Sequence, residues 1–133
     1  MKLDIEFSHP DRVLSPNSNA PLSARGAKTH GIIKASVKKK TRNTAYLKAL
    51  CALSTIPQRN FPARLVEVTW YYKGMKPDVD NVVARLKPLI DGCAQAFGIN
   101  DRELELGRVR RVHTLGKEAG TLMLHFNTEN DIS

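Results

Sequence analysis

Lys76-Pro77-Asp78-Val79-Asp80-Asn81 sets two carboxylates two positions apart inside a chain with a formal charge of +8. In an extended segment such residues point to one side, with Cα atoms about 6.6 Å apart. Carboxylates at that spacing can grip one hard cation together or flank a pair. Magnesium suits them: it takes one or two carboxylates, keeps several waters and completes its shell with substrate phosphate. The same residues also read as a helix start, with Asp80 or Asn81 as the cap and Asp78 as a solvated turn residue.

A helix must follow. Val79, Val82, Val83, Leu86, Ile90, Cys93 and Phe97 recur at helical spacing, and Gly98 with Asn100 supplies a stop. Pro88 predicts either a bend or two shorter pieces. Asp80, Ala84, Lys87 and Asp91 share one face of this helix. Asp80 and Asp91 are 11 positions apart, which is about 16 Å on a straight helix and too far to share an ion. Lys87 is closer to the motif, and also stands four residues before Asp91, where the two can pair. Asp101 follows the Gly98 turn and is expected to come back toward the motif as the chain reverses.

The upstream elements position this segment. Leu3-Asp4-Ile5-Glu6-Phe7 alternates as a half-buried strand. Ser8 to Lys28 has loop chemistry, with Pro10, Pro16, Asn17, Asn19, Pro21 and Gly26. Its Arg12, Arg25 and Lys28 suit a phosphate backbone, although a plain surface excursion fits equally. His30 to Leu53 predicts a helix that presents Ile32, Ile33, Ala35, Val37, Tyr46, Leu47, Leu50 and Leu53. Lys38-Lys39-Lys40-Thr41-Arg42 forms a cationic block on it, read either as a solvated face or as a phosphate contact. Arg64 to Tyr72 alternates as a central strand, with Trp70 and Tyr72 as core residues or, less commonly, base-stacking rings. Arg108 to His113 and Thr121 to Phe126 predict two further strands, joined as a hairpin around Gly116 to Gly120. Asn127 to Ser133 is expected to fray. The order β-α-β-α-β-β implies an α/β fold of the α+β type: a small mixed sheet of about four strands packed with two main helices.

The chain's 133 residues are one domain's worth (1–133), long enough for a core without disulfide staples. Lys and Arg number 21 against 13 Asp and Glu, a balance that favours polyanions, nucleic acid first. No apolar run approaches a membrane span, and Met1-Lys2-Leu3-Asp4 does not open a secretory signal. Cys51 and Cys93 read as small buried hydrophobes, not a zinc site or a disulfide, which points to a reduced, cytoplasmic setting. His9, His30, His113 and His125 show no metal-ligand spacing.

Three stretches together carry a resemblance: Lys76-Pro77-Asp78-Val79-Asp80-Asn81, Leu86-Lys87-Pro88-Leu89-Ile90-Asp91-Gly92, and Ile99-Asn100-Asp101 before a basic strand. From Lys76 to Arg111 the chain resembles the RusA family of Holliday junction resolvases. The resemblance implies a homodimeric endodeoxyribonuclease that cuts four-way DNA junctions with Mg²⁺, for which Mn²⁺ is a plausible substitute. It implies that Asp78, Asp80 and Asp101 are the metal-binding catalytic carboxylates. Two positions depart from the pattern. Asn100-Asp101 stands where an Asp-Asp pair is frequent, and Ala84 stands where resolving members can carry a catalytic lysine, leaving Lys87 as the nearest replacement; Lys87, or as second choice Arg85, is expected to neutralise charge in the transition state. Lys38, Lys39, Lys40, Arg42, Lys76, Arg108, Arg110 and Arg111 are the expected phosphate contacts, reading shape and not sequence. The alternatives are a DNA-binding module of the same fold with impaired catalysis, and a magnesium nuclease acting on flaps or single strands.

Overall fold

The computed structural model describes residues 1–14, 26–56 and 61–129, excepting the side chains of 13 and 26–30. The elements are β1 (Lys2–Ser8), α1 (Gly26–Leu53), β2 (Leu65–Tyr72), α2 (Val79–Phe97), β3 (Glu105–His113) and β4 (Thr121–Asn127), with short 3-10 turns at Arg12–Leu14 and Asp101–Glu103. This is the expected α+β fold. Most of the expected Pro- and Asn-rich loop, with Arg25, lies outside the described residues, as does the tail beyond Glu129. None of the described helices is long and apolar enough to cross a membrane.

The strands form one sheet in the order β1-β4-β2-β3. β4 is antiparallel to β1 and to β2, whereas β3 runs parallel to β2. The expected hairpin between β3 and β4 is therefore wrong, because β2 lies between them. The reason is the α2 crossover, which delivers β3 parallel to β2 on its outer side. Residues 114–120 then cross the end of β2, with the Thr114 N–H donating to the Tyr72 carbonyl at 2.9 Å and the Gly120 N–H to the Tyr71 carbonyl at 3.3 Å. Asn127 does not fray. It pairs with Lys2 and Leu65, and the Met1 amino group donates to Thr128 Oγ1 at 3.0 Å.

Alternate strand residues (Val66, Val68 and Trp70 on β2, Leu122, Leu124 and Phe126 on β4) are buried in one core with Val82, Leu86, Leu89, Cys93 and Phe97 of α2. Period-2 strands thus meet a period-3.6 helix stripe, giving two layers. Pro88 is buried within an unbroken α2, which ends at Gly98 in the left-handed conformation (φ 74°), with the Ile99 N–H returning to the Ala94 carbonyl at 3.1 Å.

α1 buries the expected Leu53 but turns Ile32, Ile33, Ala35, Leu47 and Leu50 outward. Ile32 is 65% exposed and Leu47 61%, while Ala45 and Ala49 are fully buried. The cause is the closeness of the two helices. A Cβ on Gly92 of α2 would collide with the Arg42 carbonyl and stand 2.9 Å from the Ala45 Cβ. Only small side chains fit this contact, so Ile32, Ile33 and Leu47 are left outside, while Leu53 at the end of α1 still reaches the core. Cys51 is likewise exposed, against expectation, while Cys93 is buried. Gly92→Ala gains about 1 kcal/mol in helix propensity, yet it should destabilise the protein by roughly 1–3 kcal/mol through overpacking. Chemical denaturation of the variant measures this.

Candidate functional site

The motif begins α2. Asp78 occupies the N-cap position, but its side chain makes no capping bond, and Asp80 lies in the first turn. Both are exposed. The unpaired N–H groups and the positive end of the helix dipole favour carboxylates there. Arg111 on β3 fixes the preceding loop, its Nη1 donating to the Pro77 carbonyl at 3.0 Å. One expected phosphate contact is therefore an anchor for the motif.

Asp101 does not join them. The 19-residue α2 is about 28 Å long, and Asp101 follows its far end. The Gly98 turn does reverse the chain, but only as far as Asp91, with which Asp101 lines one small recess beside Lys87. Among the described residues, no three His, Cys, Asp or Glu side chains gather in a way that could hold a metal. The expected trio Asp78, Asp80 and Asp101 is thus split between the two ends of one helix.

The structure instead brings together Asp91, Asp101, Lys87 and Arg42. Lys87 Nζ stands 4.0 Å from Asp91 Oδ1, a loose and largely solvated pair worth about 0–1 kcal/mol. Burial raises the Asp91 carboxyl above its ordinary value. Lys87 opposes the rise, Asp101 adds to it through hydrogen bond and charge, and Arg42 opposes it. A second carboxylate this close disfavours ionisation of Asp91, and a cation beside them relieves that cost. Their oxygens suit a hard divalent ion.

Beside them runs a groove of about 330 Å³ between the helices, lined by Lys34, Lys38 and Arg42 of α1 and by Ala84, Lys87, Pro88 and Asp91 of α2. Lys34, Lys38 and Arg42 recur every fourth residue, so their side chains rank along one face at about 6 Å intervals. Lys39 and Lys40 of the expected block are exposed and do not line the groove. Lys34 was missed, although the four-residue spacing to Lys38 and Arg42 was there to find. Lys76 is exposed in the loop before the motif. Arg108 and Arg110 are exposed on the edge strand β3, and Arg110 pairs in register with Thr69, on the sheet face away from the helices. They form a basic surface separate from the groove.

That open face carries a second polar chain. His125 Nδ1 is 2.9 Å from Asp4 Oδ1, and its Nε2 is 2.9 Å from Thr69 Oγ1. The order imitates a nucleophile triad. Thr69, however, lies on an interior strand paired on both sides, so backbone N–H groups that would stabilise an oxyanion are taken by the ladders. The chain ties β1, β4 and β2 together.

No family model, curated protein or solved structure matches this chain. The site therefore rests on its own chemistry.

Asp91 provides a test of that chemistry. Its folded-state pKa is raised above an ordinary value near 3.8. Between the two values the folded protein binds more protons than the unfolded chain, so stability falls as pH rises through that window and stays lower above it. Asp91→Asn should therefore raise the melting temperature at neutral pH, with the gain vanishing below about pH 3.8. Thermal unfolding across that range checks it.

Proposed function

We propose that the protein is a RusA-like, Mg²⁺-dependent, structure-selective endodeoxyribonuclease acting on four-way DNA junctions. The observation that carries this reading is the carboxylate pair Asp91–Asp101 set against a cationic groove. A site that holds phosphates on Lys34, Lys38 and Arg42 needs no acid for binding, since carboxylates there repel the ligand. Acids kept beside the phosphate path suit a metal that works on the phosphate. The Lys76–Asn81 motif at the other end of α2 adds a second carboxylate pair of the same kind.

The residues divide the work. Asp78 and Asp80, favoured by the N-terminal end of α2, and Asp101, beside Asp91, are the metal-holding groups. Magnesium bound there supplies a polarised phosphate and a water acidic enough to attack near neutral pH. Lys87, exposed beside Asp91, neutralises charge developing on the phosphate. Lys34, Lys38 and Arg42 hold the backbone without reading sequence.

Because α2 separates the two acidic ends, Asp78, Asp80 and Asp101 act on one ion only if two copies combine. An antiparallel pair of α2 helices related by a twofold axis puts one copy's Asp78 and Asp80 beside the other's Asp101. This gives the proposed homodimer a chemical purpose.

Magnesium-dependent cutting of a synthetic four-way junction, compared with a linear duplex and a flap, tests the substrate. Equal cutting of all three overturns the junction assignment. Asp78→Asn and Asp101→Asn should each abolish cutting while junction affinity holds. Mixing the two inactive variants should restore about a quarter of the intact sites, because half the dimers carry one complete site of two. Failure to restore any cutting counts against the shared site. The split acidic ends also favour a second reading, a junction-binding module without catalysis. For it, wild-type protein binds the junction and leaves it uncut at every magnesium concentration.

Groove binding predicts a salt dependence. Each phosphate neutralised adds about 0.9 to the slope of log affinity against log salt. Lys34→Ala with Lys38→Ala should lower that slope by about two, whereas Lys39→Ala with Lys40→Ala should change it little. Affinity measured over a salt series separates the two faces of α1.

A further inference from the structure

A second recess, of about 380 Å³, lies at the end of β2, between the 3-10 turn at Arg12–Leu14, the start of α2 and the loop that crosses to β4. Its floor is Trp70, stacked on His9 with ring centroids 3.9 Å apart and planes within 19°. His9 is held in turn, its Nε2 donating to the Thr121 carbonyl at 2.9 Å. Arg85 reaches over from α2 with its guanidinium 5.0 Å from the Trp70 ring centre. Nε of Arg85 donates to the Pro10 carbonyl at 3.0 Å, and Nη2 donates to the same oxygen. The wall is completed by Arg12, Lys73 and the half-buried Tyr72, whose ring meets His113 edge-on.

The charge of this recess is one-sided. Arg12, Lys73 and Arg85 line it, and among the described residues no carboxylate does. Asp11 stands near Arg85, and counting it still leaves two positive charges in excess. Arg12 and Arg85 are near enough to oppose each other's charge, and Arg85 is pulled below its ordinary pKa by burial first and by Arg12 second. Holding the half-buried Arg85 close to a second guanidinium costs free energy that an anion between them offsets. The volume is that of a small-ligand site, and Tyr72 with the exposed Met75 offers an apolar surface beside the cations.

We propose that this recess is a nucleotide-binding pocket, which seats one phosphate of a single nucleic-acid strand on Arg12, Lys73 and Arg85 and its base against Tyr72. Arg12 supplies forked donors matched to phosphate oxygens, Lys73 and Arg85 add charge, and an aromatic face accepts any base by stacking. The pocket is distinct from the groove between the helices: Arg85 and Lys87 lie about 200° apart around α2. Its rim at Pro77 joins directly to Asp78. A strand seated here carries its next phosphate to the Asp78–Asp80 end of α2. That last step rests on the nuclease reading, and the pocket itself does not.

Trp70 is the only tryptophan in the chain, so its emission reports on this pocket and not on the groove. The titration uses the full-length protein in EDTA, with hexathymidylate, thymidine 5′-monophosphate and inorganic phosphate as separate ligands. Hexathymidylate should change Trp70 emission saturably, at concentrations at least tenfold below those needed with inorganic phosphate. Arg12 and Lys73 are exposed, so Arg12→Ala with Lys73→Ala should leave the melting temperature unchanged. That double variant should weaken hexathymidylate binding roughly tenfold or more, the scale of a lost charged hydrogen bond. A double variant with wild-type affinity and emission change overturns the pocket. Inorganic phosphate binding as well as hexathymidylate overturns the role of the base, and the monophosphate binding equally well overturns the strand. Because no divalent ion is present, loss of the metal reading leaves this result standing.

Discussion

The contact at Gly92 is the constraint on which the remaining geometry depends. With no side chain there, the backbone of α1 at Arg42 lies directly against α2, and Ala45 and Ala49 continue the close approach. Packing at this separation fixes the rotation of α1, because only its alanine face fits. Rotation in turn decides which cations meet the acids. Lys34, Lys38 and Arg42 lie a fixed angle from Ala45 around the helix, and so come to face Lys87 and Asp91 across the groove. A larger residue at position 92 would move every one of them at once.

The same constraint explains what the sequence made legible. The strands and α2 were readable because their alternation and amphipathic stripe record burial directly, and Pro88 was absorbed without a break. α1 misled because apolar size is a guide to burial only where there is room. At a close helix contact small residues win, and Ile32, Ile33 and Leu47 are left outside. Strand partners were also hidden. Alternation in Arg108–His113 and Thr121–Phe126 identifies two strands but carries no record of β2 between them. That order follows from the crossover through α2, a property of the chain path and not of any local pattern.

The acidic motif was legible as chemistry, but its completion was not. Spacing placed Asp78 and Asp80 on one end of a helix and already gave the distance that keeps Asp91 away from them. What it did not reveal is where the chain goes after Gly98. The left-handed turn and the Asn100-capped 3-10 turn, whose side chain accepts from the Arg102 N–H at 3.1 Å, return Asp101 only to Asp91. Asp91 therefore changes from a surface partner of Lys87 into half of a carboxylate pair.

The two acidic ends of α2 differ in cost, and the difference bears on their use. Asp78 and Asp80 sit at the positive end of the helix dipole, exposed, where a carboxylate is favoured even with nothing bound. Asp91 sits two turns from the negative end, partly buried, next to Asp101, with a carboxyl pushed toward its neutral form. A chain under no constraint but stability would hold Asn at position 91. Only a partly buried carboxyl beside a second acid carries that cost, and Asp91 keeps it at the edge of a cationic groove. Asp91, beside Asp101, is thus the costlier carboxylate of α2, and the motif that first draws the eye is the cheaper end.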